Sequence, residues 1–305
     1  MPDEKRVQFD FVVTFLNGGG LQGQDFRLDI PGEDISDGDL ADYLTRDLRL
    51  LMVQQVRITN RRIIAEPHKR GESDAERFSE SGGRDADLSH VIEDGMITYK
   101  GLPAPIICDY LSREASRANY AEGTEFQIGK IEMVANTGTY LDSPFHRFAH
   151  GHDLSALNLA SLANLDAVMI RVTGSADRAI PRAAFAALDV RGKAVLAHTG
   201  WDRHWRTDQY FEGHPFLTED AATWLRDAGA ALVGIDSYNI DDTADGARPA
   251  HTILLGAGIP IVEHLRGLEQ LPLAGFRFSA VPPKVRGMGT FPVRAFATLP
   301  GSEQP

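Results

Sequence analysis

The sequence predicts a mixed α/β protein that is preceded by a small α+β unit. After about residue 88, short apolar stretches at 167–172, 194–201, 231–236 and 259–265 alternate with segments of helical character, which favours a mixed sheet covered by helices. Before residue 65 the pattern is different, with two alternating segments, one helical segment and another alternating segment. The chain has 305 residues, of which 43% are hydrophobic, so it is long enough to bury a sizeable core.

The N-terminal unit is expected to span residues 1–65 in the order ββαβ. A strand over 7–16, the turn sequence NGGG and a returning strand over 24–30 indicate a hairpin. The segment 35–52 has apolar residues at helical spacing, and Ser36 or Asp37 can cap its start. No arrangement of catalytic residues stands out in this unit.

Residues 66–87 are predicted to be a flexible linker. The stretch is polar and charged and has hardly an apolar residue, so it cannot bury enough surface to order itself.

The remaining residues, 88–305, are expected to form one larger domain. Within it, a helix is predicted from Thr218, a capping residue, to Gly229, a stop signal.

The composition excludes several classes of function. The net charge is −12, and no block of Lys and Arg is present to neutralise phosphates, which argues against nucleic-acid binding. The sequence has no run of about 18 apolar residues that would predict a membrane span, and no signal peptide is indicated. The single cysteine, Cys108, favours a reducing cytoplasm and, in an apolar stretch, is expected to be packed in the interior.

The segment 134–148, VANTGTYLDSPFHRF, is the first candidate site. It predicts a strand that bends at Gly138, followed by a helix that starts near Asp142 and stops at Gly151. A carboxylate at the start of a helix and His146 one turn later can share a ligand or a proton. The alternative is that Asp142 only caps the helix and His146 is a partly buried structural histidine.

Two further clusters carry acidic residues at the ends of apolar strands. Glu263 ends the strand sequence IPIV, and a buried carboxylate requires a metal, an arginine or a protonated histidine as its partner. His264 is expected to point to the opposite face of that strand and to act separately. Asp236 also ends an apolar strand and, like Ser237 and Asp241, could orient a ligand or a histidine, or could simply cap a turn.

Residues 88 to about 303 resemble the kynurenine formamidase or "cyclase" family of metal-dependent hydrolases. The family motif is H-x-G-T-H-x-D-x-P-x-H, and the same frame here has Gly138, Thr139, Asp142, Pro144 and His146 in place. Asn136 and Tyr140 replace the two leading histidines. Downstream, His251 and Glu263 match in type and in their spacing of twelve residues, and HTGWDRHW, VGIDSYNID and PVRAFA also resemble family segments.

The resemblance implies a swivelling β/α/β-type fold, a homo-oligomer and two adjacent divalent-metal positions. The position formed by the leading histidines would here have Asn136 and Tyr140, which are poor zinc ligands since a phenol has a pKa near ~10. The other position retains Asp142, His251 and Glu263. One divalent ion, zinc or manganese, is therefore the expected cofactor. His150 and His152 are alternative ligands that could replace the missing pair, or are surface residues.

The resulting hypothesis is hydrolysis of a small amide or lactone. The metal would polarise the carbonyl and activate water, His146 would act as acid and base, and Tyr140 would donate to the oxyanion. One alternative is a protein that binds a small molecule without hydrolysing it, through hydrogen bonds from Asn136 and Tyr140. Another is a metal-independent cyclase or dehydratase that uses His146 with Asp142 or Asp236.

The substrate is expected to be a small molecule, with an aromatic compound as one candidate. An aromatic cluster between Trp201 and Phe216 could line an aromatic-substrate pocket or could be ordinary packing. The candidates for contacting substrate or supporting the site are Asn136, Thr139, Asp236 and Trp201.

Overall fold

The computed structural model describes residues 5–16, 18–30, 34–48, 50, 52–65 and 85–300. The chain divides into two compact units, Met1–Gly82 and Gly83–Pro305. Of the predicted linker, residues 66–84 lie outside the described residues, and Asp85–Asp87 form a strand of the second unit. The sheet of that unit therefore begins three residues before the predicted start of the domain at residue 88.

The first unit has the order ββαβ. It contains β1 (Lys5–Phe15), β2 (Gly20–Asp29), α1 (Asp37–Asp47) and β3 (Val53–Ala65). The strands form an antiparallel sheet in the order β2-β1-β3. Ser36 caps α1 by accepting a hydrogen bond from the backbone N–H of Asp39 at 3.1 Å. The alternating residues Val7, Phe9, Phe11 and Val13 bury one face of β1 with Leu40 and Leu44 of the helix.

The second unit is a mixed α/β structure, as the sequence predicts. Its strands and helices are β4 (Asp85–Asp87), β5 (Ile106–Leu111), α2 (Arg113–Ser116), β6 (Ile128–Glu132), β7 (Tyr140–Asp142), β8 (Leu165–Arg171), β9 (Ala179–Ile180), β10 (Ala194–His198), β11 (Phe216–Leu217), α3 (Glu219–Ala228), β12 (Leu232–Ile235), α4 (Pro249–Gly256), β13 (Ile261–Glu263), β14 (Ala274–Ser279), β15 (Thr290–Pro292) and β16 (Phe296–Thr298). Thr218 caps α3 and Gly229, with φ of 84°, ends it, as predicted.

Nine of these strands form one sheet in the order β15-β7-β13-β12-β10-β8-β14-β16-β4. The four central strands, β8, β10, β12 and β13, run parallel, and the strands on both sides of them are antiparallel to their neighbours. Both faces are covered by apolar residues. In β8, Ala167 and Met169 pack into the core on one face, and Val168 and Ile170 pack into the core on the other face.

Two local predictions were wrong. The segment after Asp142 is a single 3-10 turn, Pro144–His146, and not a helix that continues to Gly151. Cys108 is exposed and unpaired, because β5 and β6 form a two-stranded ribbon whose side chains are largely exposed. Among the described residues, no helix combines the length and the hydropathy that crossing a membrane requires.

Candidate active site

The pairing of β7 with its two neighbours brings four side chains of the site together. Tyr140 lies opposite Glu263 of β13, and Asp142 lies opposite Thr290 of β15. Directly opposed residues project from the same face of a sheet, and so do residues two apart in one strand. The sheet register therefore places Tyr140, Asp142, Glu263 and Thr290 on one face, where all four are almost completely buried.

His251 completes this cluster from α4. Its Nδ1 lies 2.7 Å from Asp241 Oδ2, and its Nε2 lies 3.7 Å from both Asp142 Oδ2 and Glu263 Oε1. Since a carboxylate can only accept, the His251 Nδ1 carries a proton and donates it to Asp241. The other ring nitrogen therefore faces two carboxylates, as is common where a histidine with a carboxylate partner binds a metal.

The electrostatics of this cluster require a positive charge between its carboxylates. Burial alone would lower the pKa of His251, but the surrounding Asp142, Asp241 and Glu263 outweigh that effect and raise it. Burial, with the nearby Asp142, raises the pKa of Glu263 although His251 opposes the shift. Three buried carboxylates thus share one imidazole, and either its proton or a cation must offset their charge.

The donor atoms fit a divalent cation. Asp142 Oδ2 is buried and has no hydrogen-bond partner, so one carboxylate oxygen in the interior is left to bind something else. Four ligands placed about 2.1 Å from a zinc ion stand about 3.4 Å apart, close to the 3.7 Å separations around His251 Nε2. His146 also belongs to the group, since Asp142, His146 and His251 offer atoms within 4.8 Å of one another.

His146 is held at the end of the 3-10 turn, with its side chain about one-third exposed. Its Nδ1 lies 2.7 Å from Thr290 Oγ1, and the Thr290 hydroxyl donates to Asp142 Oδ1. The hydroxyl of Thr290 must therefore accept from the His146 Nδ1–H, so in the neutral tautomer Nε2 is the nitrogen with the free lone pair. Gly289 permits this arrangement, because a Cβ there would lie 2.5 Å from the His146 backbone.

Tyr140 belongs to a closed hydrogen-bond network on the other side of Glu263. Its hydroxyl donates to Glu263 Oε2 at 2.7 Å and lies 3.2 Å from His264 Nε2, and the Nδ1 of His264 lies 2.8 Å from the Tyr210 hydroxyl. Burial and the neighbouring Glu263 raise the pKa of Tyr140 well above its usual value, so it remains a neutral phenol. A phenol whose proton is engaged by Glu263 is not free to donate to an oxyanion.

His264 lies in this network and not on the opposite face of the strand. β13 ends at Glu263, and His264 has a left-handed backbone with φ of 57°, which turns its ring towards Tyr140. Tyr140 uses its proton on Glu263 and therefore accepts from His264 Nε2–H, so His264 Nδ1 accepts from Tyr210. Burial lowers the pKa of His264 well below its usual value, which is consistent with a neutral ring.

A cavity of about 270 Å³ opens above these residues. Asn136 lines it, as do Tyr140, His146, His251 and Glu263. The structure therefore brings together the residues that the motif and the downstream pair indicated. Sequence reasoning missed other residues that line the cavity or support the site: Tyr99, Leu102, Arg147, Asn239, Arg248 and Thr290.

The structure does not bring the other predicted candidates to the cavity. Asp236 accepts hydrogen bonds from Thr199 and Gly200, so it fixes the turn after β10. Trp201 donates from its indole N–H to the Tyr210 carbonyl. Thr139 is buried, and its hydroxyl donates to the His264 carbonyl and accepts from the His90 N–H. His150 and His152 are exposed and do not join the donor group around Asp142.

Known proteins resemble this chain over most of the second unit. It is 32% identical to a kynurenine formamidase from Geobacillus thermodenitrificans (strain NG80-2) over 183 residues, which are 59% of this chain and 84% of that protein. A solved structure described as a potential metal-dependent hydrolase with cyclase activity shares 27% identity, with a TM-score of 0.58 over 70% of this chain and 96% of that one.

The fold extends to more distant structures. Isatin hydrolase A from Ralstonia solanacearum superposes with a TM-score of 0.62 at 20% identity, and the match covers 74% of this chain and 95% of that one. The kynurenine formamidase and the structure of 27% identity are both named as hydrolytic enzymes, which confirms the prediction that this chain is a hydrolase. The sequence model of the family described as "Putative cyclase" matches residues 86–242, about half of the chain. The chain therefore belongs to the putative cyclase family, and the family predicted from the sequence is confirmed.

Proposed function

We propose that the second unit is a metal-dependent hydrolase of a small amide, similar in its reaction to an arylformamidase. The observation that carries this proposal is the unpartnered Asp142 Oδ2, which is buried at 3.7 Å from His251 Nε2. The kynurenine formamidase relatives support an amide as the bond that is cleaved. Tyr99, Leu102 and Tyr140 line the cavity and support an aromatic substrate.

Asp142, His251 and Glu263 would hold one divalent ion, zinc or manganese. Such an ion would polarise the scissile carbonyl and lower the pKa of a water molecule beside it. Asp241 fixes the orientation of the His251 ring through the bond to Nδ1. Tyr140 and the Ile240 N–H each donate to one oxygen of Glu263, which fixes that carboxylate in turn.

His146 would serve as the acid and base of the reaction. Its Nδ1–H is held by Thr290, so its Nε2 is available to take a proton from the attacking water and to return it to the leaving nitrogen. Thr290 and Asp142 stabilise the imidazolium that forms, because they supply an acceptor and a nearby negative charge. Asn136, at the cavity wall, can hydrogen-bond the substrate.

Two broader expectations remain proposals. The exposed, unpaired thiol of Cys108 supports a reducing compartment such as the cytoplasm. Assembly into a homo-oligomer is implied by the family resemblance alone.

The experiment combines metal analysis with activity. Protein purified without chelator is analysed for zinc and manganese and assayed with N-formyl aromatic amines, lactones and cyclic imides. We expect about one metal equivalent, hydrolysis of the formyl amines, and loss of activity on chelation. His146→Ala should lower kcat by about 10²–10⁴-fold, whereas His150→Ala, a matched change of an exposed histidine, should not.

Two results would contradict the proposal. Undiminished turnover by His146→Ala would exclude the assigned role of that imidazole. Protein that is active without any bound metal would exclude the metal.

A further inference from the structure

Arg248 is an arginine at the cavity whose charge the described residues leave unmatched. Its guanidinium donates to Asn239 Oδ1 and to the Asp242 carbonyl, each at 3.4 Å, and both acceptors are uncharged. Among the described residues, none of the ion pairs within 4.0 Å involves Arg248. The neighbouring Arg178 differs, because it pairs with Asp242 Oδ2 at 3.1 Å.

The backbone fixes Arg248 at this place. It precedes α4, which carries His251, and its φ of 49° and ψ of 60° lie in the left-handed region. Few residues other than glycine and asparagine adopt that region, and such conformations are concentrated at functional sites. The side chain is half-buried, so the guanidinium is partly shielded from water.

A second arginine lines the same cavity. Arg147 donates from Nε to the Thr252 hydroxyl at 3.3 Å, and its guanidinium lies 5.3 Å from the centre of the Phe148 ring. It too has no carboxylate within 4.0 Å among the residues that the structure describes. Two guanidinium groups therefore border one cavity in a protein whose net charge is −12.

The carboxylates at the bottom of the cavity do not neutralise Arg248. Asn239 lies between Arg248 and Glu263. Its Oδ1 accepts hydrogen bonds from Arg248 and from the Asp241 N–H, and its Nδ2 faces Glu263 Oε2 at 3.5 Å. Asp142 and Glu263 instead face His251. The cavity thus has an acidic end and a basic border, with the Tyr99 and Leu102 side chains also in its lining.

We propose that Arg248, assisted by Arg147, binds a carboxylate of the substrate that is distinct from the amide to be cleaved. A guanidinium pairs with a carboxylate through two parallel hydrogen bonds, each stronger than a hydrogen bond between neutral groups. The turnover part of this inference rests on the proposed hydrolase function, but binding of the anion does not. Arg248 is then a specificity-determining residue that selects carboxylated amides over neutral ones.

The first test compares formanilide with 2-, 3- and 4-formamidobenzoate, which add one carboxylate at three positions of the ring. At least one carboxylated substrate should have a kcat/KM about tenfold or more above that of formanilide. Arg248→Gln should lower this selectivity ratio about tenfold or more, to near one, mainly through KM. Arg178→Gln removes a nearby guanidinium outside the cavity lining and should leave the ratio within about twofold.

Arg248→Lys keeps the charge and loses the planar fork, so it should restore only part of the ratio. A ratio near one in the unaltered enzyme, or an unchanged ratio in Arg248→Gln, would overturn the proposal. Circular dichroism and metal content of each variant confirm that the fold is retained.

A binding measurement keeps the inference separate from the hydrolase function. Calorimetric titration with 2-, 3- and 4-aminobenzoate should show binding by at least one of them, with aniline binding more weakly and Arg248→Gln weakening the anion about tenfold or more. Absence of this difference would overturn the proposal even in an active hydrolase. Inorganic phosphate that competes as strongly as the best aminobenzoate would also overturn it, since that result means a general anion site. Selective binding without hydrolysis would support the anion site and contradict the hydrolase function alone.

Discussion

Glu263 has two different surroundings, one on each side. On the open side, which comprises Asp142, His146 and His251, its Oε1 lies 3.7 Å from His251 Nε2, and a carboxylate oxygen of Asp142 has no partner. On the closed side, which comprises Tyr140, His264 and Tyr210, each proton has an acceptor. The motif resemblance leads one to expect a histidine at position 140, where this chain has a hydrogen-bonded phenol. A cation fits where buried polar atoms lack partners, and the closed side offers none.

The largest effect is expected on the open side. His251→Ala removes the ligand atom between the two carboxylates, so bound metal should fall from about one equivalent to less than about 0.1, with activity reduced about 10³-fold or more. Elemental analysis and kcat measure the two effects. Retention of a full equivalent of metal would mean that the ion binds elsewhere, and would contradict the assignment of the metal to the open side.

A smaller effect on the same side is expected from Thr290→Val. The change keeps the shape of the residue but removes the hydroxyl that links His146 Nδ1 to Asp142 Oδ1. Residues of this supporting type contribute about 10- to 100-fold to activity, and kcat/KM should fall by that range. Thr298→Val, which removes an exposed threonine hydroxyl bonded to Asp85, is the matched control and should be neutral.

Acid should destabilise the region beyond the closed side, where His90 stacks on Trp205 and Trp205 contacts His264. Burial, with the charge of Arg266, lowers the pKa of His90 to about 3, and its buried Nε2 has no partner. A neutral histidine in the fold with an unfolded pKa near 6.5 contributes stability that is fully present above pH ~6.5 and is lost as the pH falls towards 3.

For His90 the loss at pH 5 is about 2 kcal/mol, and burial lowers the pKa of His198 and His214 in the same direction. His90→Phe keeps a ring on Trp205 but cannot take up a proton. The free energy of unfolding, measured in urea, should decrease between pH 7.5 and 5 in both proteins, and the decrease should be about 2 kcal/mol smaller in His90→Phe than in the unaltered protein. An identical pH dependence in both proteins would show that His90 does not contribute.

The smallest effect is expected from Tyr210→Phe on the closed side. It removes one neutral hydrogen bond, to His264 Nδ1, and should cost about 1 kcal/mol of the free energy of unfolding while metal content stays at about one equivalent. Loss of the metal in this variant would mean that the closed side controls the ion, and the comparison between the two sides would fail.

The motif predicted much of the open side, because Asp142 and His146 lie only four residues apart and their spacing can be read directly from the sequence. Thr290 could not be found in this way. It reaches Asp142 only through the pairing of β15 with β7, across 148 residues of chain. The role of Tyr140 depends on the same kind of information, since its partner Glu263 is fixed by the register of β13.

Local sequence patterns were less informative about whether a segment is exposed or buried, because that depends on which other segments cover it. The apolar letters around Cys108 suggest burial, but a two-stranded ribbon has no further strand to cover it. No sequence pattern indicated that Arg248 lines the cavity, since a single arginine before a proline is common. Its left-handed backbone is visible only in the structure.

The exposed position of Cys108 has a practical consequence. It is the single cysteine of the chain, and it lies on β5, six residues after Leu102, which lines the cavity. A maleimide dye or a nitroxide spin label would therefore react at one defined point without any substitution of the protein. Fluorescence or paramagnetic broadening from that point could then follow ligand entry in the natural sequence.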